Sequence, residues 1–404
     1  MRVLVVSQYY APEAGATQNR MSAFVEGLLG AGHSVTVICE QPNHPAGVFH
    51  PGFGRRPLIT ERSGSLTVHR AWVAASPRKT QARRIAFYGT FAVGAAVVTL
   101  GIRRHDVAFI TSPPLPGAFA AALAARVRGT AFVLDVRDLW PAAAAALGEL
   151  SHPGALAALR RAEAWLYRNA ACVTATTKPF CRHIDTVAGA PLSRHLPNGA
   201  LDRLLAEPPT APVPRETFVV GYAGNLGIAQ GLDIVLDAAE RLRGEAVSFQ
   251  IVGDGPLAGE LRRRGAERGL DTIDFRPGVP VEQIGEVLRG FDAVLVPLRS
   301  HSLLADFIPS KLYDAMAVAR PAIVACEGEA AALARETGCG VVVGPEDGAG
   351  LATAIRELIR DPARAEQMGA AGRRAASTHA RSRQVERLVE ILDAAASGGR
   401  SQSA

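Results

Sequence analysis

The chain begins on a strand. Arg2-Val3-Leu4-Val5-Val6-Ser7 is a short, continuous apolar run of the kind that a sheet buries on both faces. A loop of residues 8–16 leads into a segment with apolar residues at Met21, Phe24, Val25, Leu28 and Leu29, one face of a helix, closed by Gly30 and Gly32. Ser34-Val35-Thr36-Val37-Ile38 reads as the next strand. Strand, loop, helix, strand is a βαβ unit, and its parallel strands point to an α/β fold with a doubly wound sheet. The pattern restarts at Thr217-Phe218-Val219-Val220-Gly221-Tyr222-Ala223, after the Pro-rich stretch from Glu207 to Pro214. Two doubly wound, Rossmann-like domains joined at that linker are therefore expected.

Further strands are expected at residues 106–111, 131–134, 171–176, 247–252, 292–296, 321–324 and 340–343. Helix is expected over residues 351–392, broken near Asp361-Pro362. Residues 41–64 are rich in Pro and Gly and read as one long loop.

Composition narrows the function classes. With 48% hydrophobic and 20% charged residues over 404 positions, the chain has ample core and is not disordered. A net charge of +6 without a long Lys/Arg run gives no footprint for nucleic acid. Five cysteines, widely spaced and without a CxxC pair, fit a reduced, cytoplasmic compartment and no zinc site. The N-terminus runs straight into a strand, so no signal peptide is expected. Residues 85–102 carry no charge, and Arg78, Lys79, Arg83 and Arg84 precede them while Arg103 and Arg104 follow. Glycines in the stretch and βα units on both sides argue against spanning a membrane. Two readings stay open: a helix buried in protein, or one lying peripherally on an anionic membrane surface.

The stretch richest in chemistry runs from Ala305 to Ala317. Pro309-Ser310-Lys311 reads as a helix start, with Asp306 in the loop before it and Asp314 inside the helix. Free N–H groups and a lysine at a helix start form an anion site, and flanking carboxylates accept hydrogen bonds from sugar hydroxyls. The competing reading is a surface helix with a salt-bridged lysine.

Other candidates stand where a doubly wound sheet keeps its ligands, beyond the carboxyl ends of strands. These are Glu13, Gly15 and Ala16 after the first strand, His44 after the second, and Arg137 and Asp138 in Asp135-Val136-Arg137-Asp138-Leu139-Trp140-Pro141. In the second half they are Gly224, Asn225, Gly227 and Gln230, then Gly253 in Gly253-Asp254-Gly255-Pro256. Ordinary βα turns and an ion pair closing a strand explain the same residues without ligand. Gly221, Gly224 and Gly227 do not make a GxGxxG fingerprint.

Taken in order, Pro12-Glu13-Ala14-Gly15-Ala16, the Asp135–Pro141 stretch, Ala223-Gly224-Asn225-Leu226-Gly227, Gly253-Asp254-Gly255-Pro256 and Pro309-Ser310-Lys311-Leu312-Tyr313-Asp314 make nearly the whole chain resemble the GT-B glycosyltransferases. The branch it resembles is family 4, in the bacterial envelope-polysaccharide group around L-fucosamine transferases. The resemblance implies retaining transfer from a nucleoside diphosphate sugar, without metal or cofactor. It implies that Asp138, Asp306 and Lys311 are catalytic. Gly15, Ala16, Gly224, Asn225, Gly227, Gln230, Gly253, Pro309, Ser310 and Asp314 would bind donor, and Glu13, His44 and Arg137 would lie on the acceptor side.

The family's paired glutamates align with Asp306 and Asp314, each one methylene shorter, with Asp314 on the ribose and Asp306 on the donor sugar. Many relatives carry Arg and Lys where Asn225 and Gln230 stand, so the cationic charge for the diphosphate falls to Lys311, with Arg299 as a further contributor. The final helix of such folds returns to the first domain. The expected domains are thus residues 1–205 with 380–396, on the acceptor side, and 215–379, on the donor side, with their loop sets facing across a cleft. The expected acceptor is a saccharide, polyprenyl-linked in cell-surface polysaccharide synthesis. The alternatives are a soluble acceptor such as an antibiotic, a nucleotide-sugar 2-epimerase on the same fold, and a non-catalytic sugar-nucleotide-binding protein.

Overall fold

The computed structural model describes residues 1–13, 15–44, 46–78, 80–142, 145, 152–209 and 215–401. The chain divides into two units, Met1–Pro197 with Gln384–Ala404, and Asn198–Arg383. The passage between them therefore falls at the end of His195-Leu196-Pro197-Asn198, ahead of the Pro-rich stretch, part of which (210–214) lies outside the described residues.

The first unit is built on strands β1 (Arg2–Val6), β2 (Ser34–Glu40), β3 (Leu58–Ser63), β4 (Leu66–Ala71), β5 (Val107–Ser112), β6 (Ala131–Val136), β7 (Cys172–Ala175) and β8 (Ser193–His195). Their spatial order is β3-β4-β2-β1-β5-β6-β7-β8, with every pairing parallel except β3 on β4. The winding reverses between β1 and β5, so the loops after these two strands flank the switch point where such sheets bind ligands.

The loop expected over residues 41–64 ends earlier, because Leu58–Ser63 is a strand. It turns through Gly64, at φ +55, into β4. Its charged side chains hid it from an apolar-run criterion. They suit an edge strand, where they discourage pairing with another chain.

The uncharged stretch forms the helix Gln81–Gly101, and it is neither wholly buried nor wholly exposed. Phe91, Ala95, Val98 and Thr99 face the interior. The helix packs on β2, β4 and the helix Leu115–Val127. Gly117 of that second helix admits the Phe91 ring, which would lie 2.6 Å from any Cβ there. Among the described residues this is the one helix long and apolar enough to cross a membrane.

The last helix, Arg381–Ser401, contributes Leu388, Leu392, Ala395 and Ala396 to the same core as Val3, Val5, Phe24 and Phe109. Val385 sits where Gly27 of the first helix leaves room, 2.3 Å from an ideal Cβ.

One buried ion pair fastens this unit. Arg20, on the helix Ala16–Gly30, bonds both oxygens of Asp135 on β6, at 2.9 and 3.2 Å. It also donates to the carbonyls of Leu196 and Pro197, each at 2.9 Å. Thr174 of β7 donates to Asp135 at 2.8 Å.

The second unit has strands β9 (Phe218–Ala223), β10 (Val247–Val252), β11 (Ile273–Arg276), β12 (Ala293–Pro297), β13 (Ala322–Ala325) and β14 (Gly340–Val343), in the order β11-β10-β9-β12-β13-β14, all parallel. Its switch point lies between β9 and β12. The helices Gly348–Arg360 and Pro362–Thr378 meet at Asp361, whose carboxylate caps the second by accepting from the Arg364 N–H at 2.9 Å.

Arg20→Leu should cost about 3–5 kcal/mol of unfolding free energy, because Asp135 is left buried without its counter-charge. Arg20→Leu/Asp135→Leu should recover part of that loss. Urea unfolding of the three proteins checks both expectations.

Candidate active site

In the first unit the loops after β1 and β2 are knotted together by acids and amides. Glu13 is buried, and one carboxylate oxygen accepts from the backbone N–H of Asn43 at 2.5 Å and of His44 at 2.6 Å. Glu40, at the end of β2, accepts from Gln8 at 2.7 Å and from Asn43 at 2.8 Å. Burial, with Glu13 adding to it, raises the Glu40 carboxyl well above the usual range. Glu13 thus shapes the loop that carries His44. The His44 ring itself is exposed and packs on Tyr9, with ring centroids 5.5 Å apart.

Gly15 occupies the cap position of the first helix, and Ala16 is its first residue. Thr17, one residue on, accepts from Arg137. Arg137 also donates to Thr111 at 2.9 Å and to the carbonyl of Pro113 at 3.0 Å. Three of its N–H groups are therefore held by protein, and it ties the ends of β5 and β6 to the first helix. Asp138 is different. Its Oδ1 is buried and has no partner among the described residues. Burial raises its carboxyl, against the opposing pull of Arg137.

In the second unit the loops after β9 and β10 lie backbone on backbone. Gly224, Gly253 and Gly255 have φ of +145, +154 and +159, which L side chains rarely adopt. A Cβ on Gly253 would fall 1.8 Å from the Gly224 carbonyl oxygen. Hydrogen bonds from Gly224 N to Val252 O and from Leu226 N to Asp254 O, both 2.9 Å, close the seam. Gly253 thus serves the fit of the two loops. Gln230 accepts from the Gly227 N–H at 3.1 Å, which leaves its amino group as a donor. Asn225 is exposed, and its amide nitrogen would lie 2.6 Å from a Cβ on Gly227.

Pro309 stands at the cap of the helix Ser310–Ala317, one place before the first helical residue. Lys311 reaches from this helix to β9. Its Nζ donates to the Tyr222 hydroxyl at 2.9 Å and sits 4.3 Å from the centre of that ring. It also lies 3.2 Å from where a Cβ on Gly224 would be, so glycine there makes room for the ammonium. The Tyr222 hydroxyl in turn donates to the Asn225 carbonyl at 2.6 Å. Burial lowers the Lys311 pKa to about 8, with Cys326 and Asp314 opposing.

Asp314 has a buried Oδ1 without a partner among the described residues. Burial raises its pKa to about 6, despite Arg381, Arg203 and Lys311. Asp306 lies in the short turn Leu304–Asp306, half-buried, ahead of this helix. Arg299 is engaged elsewhere, 3.3 Å from Asp233 and 3.7 Å from Glu346.

The structure thus brings Lys311, Gly224 and the Asn225 backbone together through Tyr222. That phenol gave no signal in the sequence, since it sits inside an apolar strand run. Arg20 and Glu40 were hidden for a similar reason: each belongs to an element whose periodicity is set by its apolar residues.

The family model for glycosyl transferases group 1 matches residues 217–361, and that for the glycosyl transferase 4-like domain matches residues 15–199. This chain belongs to the family 4 glycosyltransferases of GT-B fold. Among curated proteins, this glycosyltransferase is 26% identical to WcaI of Escherichia coli (strain K12), assigned to colanic acid biosynthesis as a glycosyl transferase, over 90% of this chain and 93% of that one. It is 24% identical to WbjE of Pseudomonas aeruginosa, named as a glycosyltransferase, over 88% and 89%. Among solved structures, Anabaena HepE in complex with UDP-glucose superposes with a TM-score of 0.70 at 16% identity, over 97% of this chain and 99% of that one.

Gly253→Ala should destabilise the glycosyltransferase by about 1–3 kcal/mol, since its methyl group meets the Gly224 carbonyl. Gly259, on the helix Ala258–Glu267 with nothing within 4 Å of its Cβ position, is the control. There alanine should be neutral or stabilising by about 0.5–1 kcal/mol. Denaturant midpoints compare the two.

Proposed function

We propose that this glycosyltransferase moves a sugar, with retention, from a nucleoside diphosphate sugar to a lipid-linked saccharide in envelope polysaccharide synthesis. The observation that carries the reading is the ammonium of Lys311, fixed by Tyr222 over Gly224, with the Asp314 carboxylate on the same helix, whose buried Oδ1 has no partner among the described residues. A held cation beside loop amides suits a diphosphate whose charge grows as it leaves. A desolvated carboxylate suits ribose hydroxyls, which would give its buried oxygen a partner. In this reading the Gln230 amino group and the loop amides share the diphosphate with Lys311, and neither metal nor cofactor is required. Asp306 contacts the donor sugar, and Asp138 is the candidate catalytic acid of the first unit. The name of WcaI supports the pathway class, and the UDP-glucose complex of HepE supports the donor class. The exposed apolar face on the helix Gln81–Gly101 supports a lipid-borne acceptor and peripheral contact with the cytoplasmic face of a membrane over a soluble acceptor.

A panel of nucleoside diphosphates and their sugars tests the donor. The true ligand raises the melting temperature by mass action. Asp314→Ala should weaken nucleotide binding by about 1.5–3 kcal/mol, and unchanged affinity would remove the ribose assignment. Lys311→Ala should lower kcat far more than it raises KM.

The pH profile of kcat/KM for the donor follows from the two shifts. Asp314 must be ionised to accept hydroxyls, so activity rises through about pH 6. Lys311 must be protonated, so activity falls above about pH 8. Lys311→Arg should remove the alkaline limb while leaving the acid limb in place.

A further inference from the structure

We infer that a cavity in the first unit binds the diphosphate of an amphiphile whose hydrocarbon chain lies along the exposed face of the helix Gln81–Gly101. Calling that amphiphile the acceptor carrier rests on the function proposed above; the binding site itself rests on the following geometry.

The cavity has a volume of about 240 Å³, and Tyr9, His44, Arg78, Arg83, Arg84 and Tyr88 are among its lining residues. That is below the roughly 300–1,000 Å³ of sites for drug-sized ligands, and it suits a headgroup. Among the described residues no carboxylate lines it. The acids of the neighbouring loop knot, Glu13 and Glu40, are buried and held by Gln8, Asn43 and the His44 backbone N–H. Arg83 donates to Ser76, a second lining residue, at 2.7 Å. Arg78, Arg83 and Arg84 all line this small cavity, and guanidinium groups present forked donors that match phosphate oxygens.

The rim of this cavity is where the apolar face starts. Ile85, Val93, Val97 and Leu100 are 67, 65, 62 and 43% exposed. Their spacing puts them on one side of the helix, opposite the buried Phe91, Ala95 and Val98. Leu123 and Val127 of the adjoining helix Leu115–Val127 are exposed as well. At 1.5 Å per residue the stripe runs for about 22 Å, long enough to take an extended chain of many carbons. Anionic headgroup site and apolar stripe meet end to end, which is the pattern of one amphiphile and not of two unrelated ligands.

The test uses the full chain carrying Lys311→Ala, which removes the cation assigned above to the donor diphosphate, and farnesyl diphosphate as probe. Calorimetric titration compares it with inorganic diphosphate and with farnesol. Farnesyl diphosphate should bind at least about tenfold more tightly than either. Arg83→Ala/Arg84→Ala should lose about tenfold or more for both diphosphates. Val93→Ser/Val97→Ser should bring farnesyl diphosphate towards the affinity of inorganic diphosphate and leave the latter unchanged. Melting temperatures of both variants establish that they fold.

Equal binding of farnesyl and inorganic diphosphate would reduce the site to one for free anions and overturn the inference. So would affinity untouched by the arginine substitutions. Vesicles form the last arm. Neutral phosphatidylcholine carrying a few mole per cent of polyprenyl diphosphate should recruit the protein. Recruitment by phosphatidylglycerol vesicles alone would assign the arginines to bulk membrane charge and overturn it too. Failure of the proposed reaction reads out separately, as absent nucleoside diphosphate binding by the chain with native Lys311.

Discussion

Arg20 and Asp135 lose their water together, and the first unit is arranged so that neither is left short of partners. The guanidinium is shared between the carboxylate and two carbonyls at the end of the first passage of the chain, while Thr174 supports Asp135 from the next strand. A buried pair of this kind is weak evidence of net stability, but it is strict about geometry, because any displacement uncovers a charge. The first helix, β6, β7 and the Leu196–Pro197 exit are therefore fixed relative to one another. Gly15, Ala16 and Thr17 take their places from that clamp. Thr17 in turn holds Arg137, which braces the ends of β5 and β6 beside Asp138. The polar edge of this unit is thus positioned from beneath by one ion pair.

The second unit solves the same problem with glycine and a phenol. Gly224 and Gly253 let two loops touch through their backbones, which no side chain at Gly253 would permit. Tyr222 then joins that seam to Lys311, giving its hydroxyl proton to the Asn225 carbonyl and its oxygen to the ammonium. The lysine is held before any ligand arrives, so little ordering remains when an anion binds. Burial keeps it near its titration point, and it keeps Asp314 on the same helix near its own. Such opposed shifts are typical of sites poised for chemistry.

Much of this was legible in the residues. Apolar runs of strand length, each followed by a glycine-bearing loop and an amphipathic helix, specify parallel sheets, and among the described residues every strand pairing except β3 on β4 is parallel. Lys311, Asp314 and the glycines of 224 and 253 stood out because ligand loops of this fold follow strands. The hairpin at residues 58–71 did not, since an exposed edge strand lacks the apolar signature of a central one. Nor did the sequence separate two fates of the helix Gln81–Gly101: its uncharged run is the same whether one face or both are covered.

The sequence by itself determined the class of sheet, the restart of the pattern and the list of loops that carry polar residues, because these depend on local periodicity and backbone preference. Only the tertiary structure decided which polar residue does what. Arg20 lies 115 positions from Asp135, and Tyr222 lies 89 from Lys311. Whether a carboxylate closes a knot, as Glu13 does, or keeps one buried oxygen without a partner among the described residues, as at Asp138 and Asp314, depends on neighbours brought by distant strands. Desolvation and hydrogen bonding are properties of that assembled neighbourhood, and no local pattern in the chain encodes them.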